Sequence, residues 1–186
     1  DCSDTCTQRG WGPPRVLSEA SSFIDQPRLD VAGNGDAVAV WLRGDRVLAN
    51  RYDHDRRAWL DAPVLVHEAP PNLFLWNLGS QLDVAMDAAG NAIALWTGVL
   101  SEVGRGDIYG ARYDATDETW GSAELVEDDD VGGTAGSPRI EMDPLGNAVA
   151  VWTHYGPVRV SVRTNRYDAN EGGWSDDALL EPEDPD

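Results

Sequence analysis

The sequence predicts an all-β fold made of three stacked copies of one four-stranded sheet. Two observations carry that prediction. The phrases Gly35-Asp-Ala-Val-Ala-Val-Trp41, Gly90-Asn-Ala-Ile-Ala-Leu-Trp96 and Gly146-Asn-Ala-Val-Ala-Val-Trp152 recur at spacings of 55 and 56 residues (96 − 41 and 152 − 96). Around each lie short apolar runs split by Gly, Asp and Pro, with no convincing helical period in any window. A unit of this length cannot bury both of its faces alone, so the copies must lean on one another.

An unpaired piece comes first. Trp11-Gly-Pro-Pro-Arg-Val-Leu17 matches Trp120-Gly-Ser-Ala-Glu-Leu-Val126, which predicts one extra N-terminal strand over 11–19. Unit one then covers 22–67, unit two 79–127 and unit three 136–182, all in one repeat domain (11–186) behind a polar tail (1–10). Each unit opens with an apolar alternation: Pro27-Arg-Leu-Asp-Val31, Leu82-Asp-Val-Ala-Met86 and Pro138-Arg-Ile-Glu-Met142. A tight turn follows. Asp143-Pro-Leu-Gly146 has the residue order of a type I turn, Asp87-Ala-Ala-Gly90 repeats it, and Ala32-Gly-Asn-Gly35 keeps little more than the glycine. The Ala-Val-Ala-Val-Trp strand is apolar on both sides, with alanines on one face and bulky residues on the other, as expected of a strand covered above and below. The third strand closes with Arg51-Tyr-Asp53, Arg112-Tyr-Asp114 or Arg166-Tyr-Asp168, and Trp59, Trp120 or Trp174 stands six residues beyond. A fourth strand ends each unit, at Pro63-Val-Leu-Val66, Ala123-Glu-Leu-Val126 and Ala178-Leu-Leu180.

The order Pro-x-(Ile/Leu)-x-(Val/Met), Asp-x-x-Gly-Asn, an apolar strand ending in Trp, then Asp with a Trp several residues on, resembles the Asp-box repeats of bacterial neuraminidases. The resemblance spans roughly residues 11–182, in degenerate form: Arg51, Arg112 and Arg166 stand where the family's box has serine. It implies a sialidase-like β-propeller, of which this chain carries three four-stranded blades plus the extra N-terminal strand, a partial β-propeller. The alternative fold is a β-trefoil, which also uses three four-stranded repeats. Closed propellers need about 4–8 blades. Three units therefore imply a homo-oligomer sharing a six-bladed ring, blades joined from another polypeptide, or an open array.

Composition narrows the partners. Fourteen basic residues, all arginine, face 33 acidic ones for a net charge of −19. Such a field repels phosphate backbones, so nucleic acid is excluded as a partner, and the same charge favours solubility. No apolar run reaches 18 residues, so no membrane-spanning helix is expected. Cys2 and Cys6 are the only cysteines. They are disulfide candidates, and with the missing initiator methionine they predict a secreted or cell-surface protein.

Seven of the eight tryptophans belong to the repeat and are expected to fill space between blades. Trp76 is the exception, in Pro70-Pro-Asn-Leu-Phe-Leu-Trp-Asn77 with Phe74 nearby. This segment reads either as a projecting aromatic loop for sugar or protein contact or as a cap on the core. The Arg-Tyr-Asp triplets occur in every unit and read as scaffold. Arg28 and Arg139 are better ligand-binding candidates, because on innermost strands they could meet carboxylates through bidentate hydrogen bonds. Unit two has Asp83 at that position. Asp128, Asp129 and Asp130, before Gly132-Gly133, are weak calcium candidates, and no other cofactor is expected.

Two functions follow. The first is a non-enzymatic module that assembles with other blades and binds protein or glycan through its loops. The alternative is a fragment of a sialidase-like glycoside hydrolase. Uniform repeats favour the first. A hydrolase needs two carboxyl groups roughly 5–10 Å apart, and no single-copy acid/base pair stands out here.

Overall fold

The computed structural model describes residues 15–17, 24–75, 82–100, 102–127 and 132–181. Among them the regular elements are all strands, arranged in three antiparallel sheets. Sheet one contains β1 (Ile24–Val31), β2 (Ala37–Arg43), β3 (Arg46–Asp53), β4 (Ala58–Trp59) and β5 (Val64–Glu68). Sheet two contains β6 (Leu73–Phe74), β7 (Leu82–Met86), β8 (Ala92–Leu100), β9 (Arg105–Asp114), β10 (Thr119–Trp120) and β11 (Glu124–Leu125). Sheet three contains β12 (Thr134–Met142), β13 (Ala148–Tyr155), β14 (Val160–Asp168), β15 (Gly173–Trp174) and β16 (Ala178–Leu179).

Each sheet is a meander whose outermost position is split. β4 and β5 both pair with β3, β10 and β11 with β9, and β15 and β16 with β14. The tryptophan of each short outer strand sets its ring against the tyrosine of the Arg-Tyr-Asp triplet: Tyr52–Trp59, Tyr113–Trp120 and Tyr167–Trp174, at centroid distances of 5.7, 5.4 and 5.5 Å. These tryptophans therefore pin the fourth strand to the third within a sheet, a role distinct from the expected filling between sheets. In sheet two, β6 and β7 share the first position, both on β8. Of the expected N-terminal strand, residues 15–17 are described and belong to no strand. Arg15 donates Nη1–H to the Trp59 carbonyl at 3.1 Å.

The sheets stack by their faces. The bulky face of sheet one (Val38, Val40, Leu42, Val47) and the alanine-tryptophan face of sheet two (Ala92, Ala94, Trp96) share one core. Ile93, Leu95 and Ile108, on the other face of sheet two, share a second core with Ala148, Ala150 and Trp152 of sheet three. Small residues let the backbones approach and the tryptophan fills the remaining gap. Emptying such a site costs about 3–5 kcal/mol. The first strands also meet, β1 against β7 and β7 against β12, as in blades around an axis. Stacked separate sheets are the propeller arrangement, not the closed barrel of a trefoil.

The first hairpin of each sheet explains the Asp-x-x-Gly-Asn signature. Asp143 Oδ1 accepts from the backbone N–H of Leu145 (2.8 Å) and Asn147 (3.0 Å), and its Oδ2 accepts from the Asn147 amide (2.9 Å). Asn147 Oδ1 in turn accepts from Ala169 N at 3.2 Å, tying this turn to the next hairpin. Asp87, Asn91 and Ala115 N repeat the arrangement. In sheet one the roles pass to Asn34 and Asp36, and Asp36 Oδ1 takes the His54 N–H at 2.9 Å. Gly146 has φ +90°, and a Cβ there would stand 3.1 Å from Asp87 Oδ2 and 3.3 Å from Ala169 Cβ. Gly172, at φ +70°, faces open space.

Gly146→Ala should therefore cost about 2–3 kcal/mol, against about 1 kcal/mol for Gly172→Ala. At roughly 2–4 °C per kcal/mol for a chain of this size, thermal melts will separate the two. Equal melting temperatures would refute the inter-sheet contact.

Candidate functional site

Register places Arg28, Asp83 and Arg139 at one level of the three first strands. Each stands opposite the residue before the repeat tryptophan: Val40, Leu95 and Val151. Where the strands meet, the charges run cation, anion, cation. Arg28 Nε lies 3.9 Å from Asp83 Oδ1, and Asp83 Oδ2 accepts from Ile140 N at 3.1 Å. The carboxylate thus bridges the first strands of all three sheets. Both arginines bend back on the carbonyl of the preceding proline, Arg28 Nη1 to Pro27 at 3.1 Å and Arg139 Nη1 to Pro138 at 2.7 Å. Arg139 is exposed and Arg28 half-buried.

A strained backbone holds each arginine. Gln26 and Ser137 both have φ 58°, a left-handed conformation that a non-glycine residue before proline strongly disfavours. Each sits where the pairing register shifts, between Asp25 and Arg28 and between Gly136 and Arg139. Strain of this kind costs about 1–3 kcal/mol per residue. Its recurrence in the two sheets that carry arginine, at the same position, aims the two guanidinium groups alike. A guanidinium fork so fixed suits a carboxylate ligand.

The other expected candidates fall differently. Phe74 lies on β6, paired with Val99 and flanked by the buried Leu73 and Leu75. The stretch around it is the start of sheet two's first strand, which corrects the projecting-loop expectation for Phe74, although its ring stays exposed. Trp76, the acidic run Asp128–Asp130, Cys2 and Cys6 lie outside the described residues. Among the described residues no His, Cys, Asp or Glu grouping could hold a metal ion. The Arg-Tyr-Asp triplets do structural jobs: Arg112 pairs with Asp114 at 3.1 Å, whereas Arg51 reaches across the seam to Tyr113 Oη at 2.6 Å.

A second polar cluster sits between sheets two and three, and sequence reasoning missed most of it. Arg105 pairs with Asp107 at 3.1 Å, and Arg163 pairs with Asp177. Glu127 accepts from Ile108 N at 2.9 Å. Burial pushes the Glu127 carboxyl up to about 7; the Ile108 hydrogen bond and Arg105 oppose this, while Asp107 and Asp177 add to it. Beside it lies a cavity of about 320 Å³ lined by Glu124, Glu127, Asn165, Trp174, Ser175 and Asp177. The only local signal was the Arg105-Gly-Asp107 spacing, which puts both charges on one face of a strand; Asp177 is distant in sequence.

No protein-family model matches the sequence, and no curated protein is similar to it. Solved structures are similar in fold. The Hadza microbial sialidase Hz136 superposes with a TM-score of 0.58 at 12% identity, covering 83% of this chain and 37% of that one. The α-L-arabinofuranosidase Arb93A from Fusarium graminearum gives 0.54 at 9% identity, covering 84% and 48%. The Penicillium chrysogenum α-L-arabinanase gives 0.52 at 11%, covering 84% and 49%. These likenesses show a sialidase-like β-propeller fold. The chain spans between about a third and a half of the length of these proteins.

The raised Glu127 carboxyl predicts a pH dependence. Between its ordinary value of 4.5 and the folded value of about 7, the unfolded chain releases the proton while the folded chain keeps it. This contribution to stability is present below pH 4.5 and lost as pH rises through 7. Glu127→Gln should thus match the parent at pH 4 and exceed it by on the order of 2 kcal/mol at pH 8. A variant no more stable at pH 8, measured by denaturant melts, would remove the buried-carboxyl assignment.

Proposed function

We propose that this chain is a segment of a glycan-recognising β-propeller that binds an acidic sugar at its meeting first strands. The observation that carries the reading is the Arg28–Asp83–Arg139 level, with both arginines aimed by strained bulges. The protein is strongly anionic, yet here two guanidinium groups are fixed near one carboxylate. Arg139 is exposed for a ligand, and the Asp83 charge holds Arg28 in reserve. An exposed pair at 3.9 Å is worth no more than about 1 kcal/mol, so a ligand carboxylate can compete with it. The neighbours in fold, a sialidase and arabinan-degrading enzymes by name, make a sugar the natural ligand class. Protein contact through the loops, as the repeats alone suggested, has no comparable support.

Hydrolysis is the second reading, favoured by Glu127. A carboxyl that stays protonated near neutral pH is what a general acid requires, and three carboxylates with a cavity surround it. Release of reducing sugar that disappears in Glu127→Gln would establish this reading over simple binding.

Calorimetric titration with a sialylated or uronic oligosaccharide tests the binding site. Arg139→Ala should weaken binding about tenfold or more, the value of a charge-assisted hydrogen bond. Asp83→Asn keeps an acceptor for Ile140 N while releasing Arg28, and should tighten binding about two- to fivefold. A merely structural Asp83 would not improve affinity. Unchanged affinity in both variants refutes the site.

A further inference from the structure

The two ends of the array differ from its interior at equivalent positions. In sheets two and three the first-strand residues facing the preceding sheet are buried: Val84 and Met86 are 5% and 6% exposed, and Ile140 is 4% exposed. Their counterparts in sheet one, Leu29 and Val31, are 59% and 55% exposed. On the opposite face, Val38 and Ile93 are 2% and 1% exposed, whereas Val149 of sheet three is 51% exposed. Val160 and Tyr155 are exposed on that same face, paired across β13 and β14. The chain therefore presents one half of a seam at each end, a bulky face on sheet three and an alanine-bearing face on sheet one. Trp41 is already covered, so the open part of sheet one is its inner half around Leu29 and Val31.

The polar fittings of the interior seams are duplicated at these ends. Across the first seam, Arg51 Nη1 donates to Tyr113 Oη at 2.6 Å and its guanidinium lies 4.7 Å from the ring centroid. At the free ends the equivalent residues are Arg166, exposed on sheet three, and Tyr52, half-buried on sheet one. Asp30 Oδ2 accepts from Met86 N at 2.7 Å across the same seam. Register makes Glu141 the counterpart of Asp30 and Val31 the counterpart of Met86.

We propose that the sheet-three face of one copy docks on the sheet-one face of a second copy, head to tail, and that two such seams close a ring of six sheets. Arg166 then meets the partner's Tyr52, and Glu141 accepts from the backbone N–H of the partner's Val31. Leu29 and Val31 are covered by Val149, Val151 and Val162, as Val84 and Met86 are covered by their neighbours within one chain. Six lies within the range of about 4–8 blades that closed propellers use. A head-to-tail contact assembles a closed particle only if its rotation closes, and three sheets per copy satisfy that with two copies. The inference rests on reading the chain as an unfinished propeller. It also places two Arg28–Asp83–Arg139 sets around one axis, so each copy supplies half of the sugar site.

Sedimentation velocity on the 186-residue chain tests it. The expected mass is 40.4 kDa, twice 20.2 kDa. Val149→Glu combined with Val160→Glu should give a 20.2 kDa species with unchanged circular dichroism, because both residues are exposed in the single copy. Leu29→Glu should do the same. Mixing the two variants should restore the dimer through their one intact seam, which pairing of like faces could not do. A wild-type monomer at all concentrations, or a dimer insensitive to either variant, overturns the proposal and leaves the open faces to blades of another polypeptide. A monomer with Arg139-dependent sugar binding overturns the pairing alone. A dimer that ignores the sugar supports the pairing while refuting the binding site.

Discussion

Each sheet in this chain is apolar on both faces, and most of the architecture follows from having to cover both. A sheet with one solvated face alternates polar and apolar residues; here β2, β8 and β13 carry alanines on one side and Val, Ile or Leu on the other. Such a strand has no stable surface position. It must be sandwiched, and because the two sides differ in size, the sandwich has a direction. Bulky faces meet alanine-tryptophan faces in both cores, so the order of the sheets is set by side-chain volume, and the stack propagates with one sense. Packing that is dense and poorly tolerant of cavities then explains why the tryptophan position is kept in all three copies.

Much of this was legible in residues close together in the chain. The tryptophan spacing, the two-faced strand and the Asp-x-x-Gly turn are local signals, and each maps onto a strand or hairpin in the fold. The hydrogen bonds from Asp87 and Asp143 to their own turns are of that kind. What escaped sequence reading depends on distant partners. The split outer strand arises because the Tyr–Trp contacts and the bonds from Leu60, Gly121 and Ser175 N to the third strand consume the first half of the outer position before the chain bends. β6 was missed because its Leu-Phe-Leu run has no counterpart in the other copies. The raised Glu127 carboxyl is a product of Asp107 and Asp177, contributed by different sheets, and no linear spacing encodes it. The arginine pair was half legible: the residues and their strands could be named, but the bulges that aim them could not.

The repeat is most informative where it fails. Sheet two replaces arginine with Asp83 at the first-strand level, and its β8–β9 hairpin is the longest, bringing Arg105 and Asp107 beside Glu127. These departures cost stability that uniform copies would not: a carboxylate needs partners, and a buried Glu127 is penalised once ionised. Copying sheet one or three into this position would satisfy packing equally well. Structural economy alone therefore gives no reason for sheet two to differ.

A charge argument carries the point further. With 33 acidic residues against 14 arginines, the mean field around the protein repels anions, and a randomly placed arginine would be neutralised by a nearby carboxylate. Arg46 with Glu68, Arg105 with Asp107 and Arg163 with Asp177 show that outcome. Arg139 instead rests on a backbone carbonyl, exposed, on a backbone strained to hold it. A neutral acceptor leaves its positive charge uncompensated, whereas a carboxylate would cancel it. Retaining both the strain and the charge makes sense when an anionic group arrives from outside, and the short range of screened interactions confines that attraction to the level where the first strands meet.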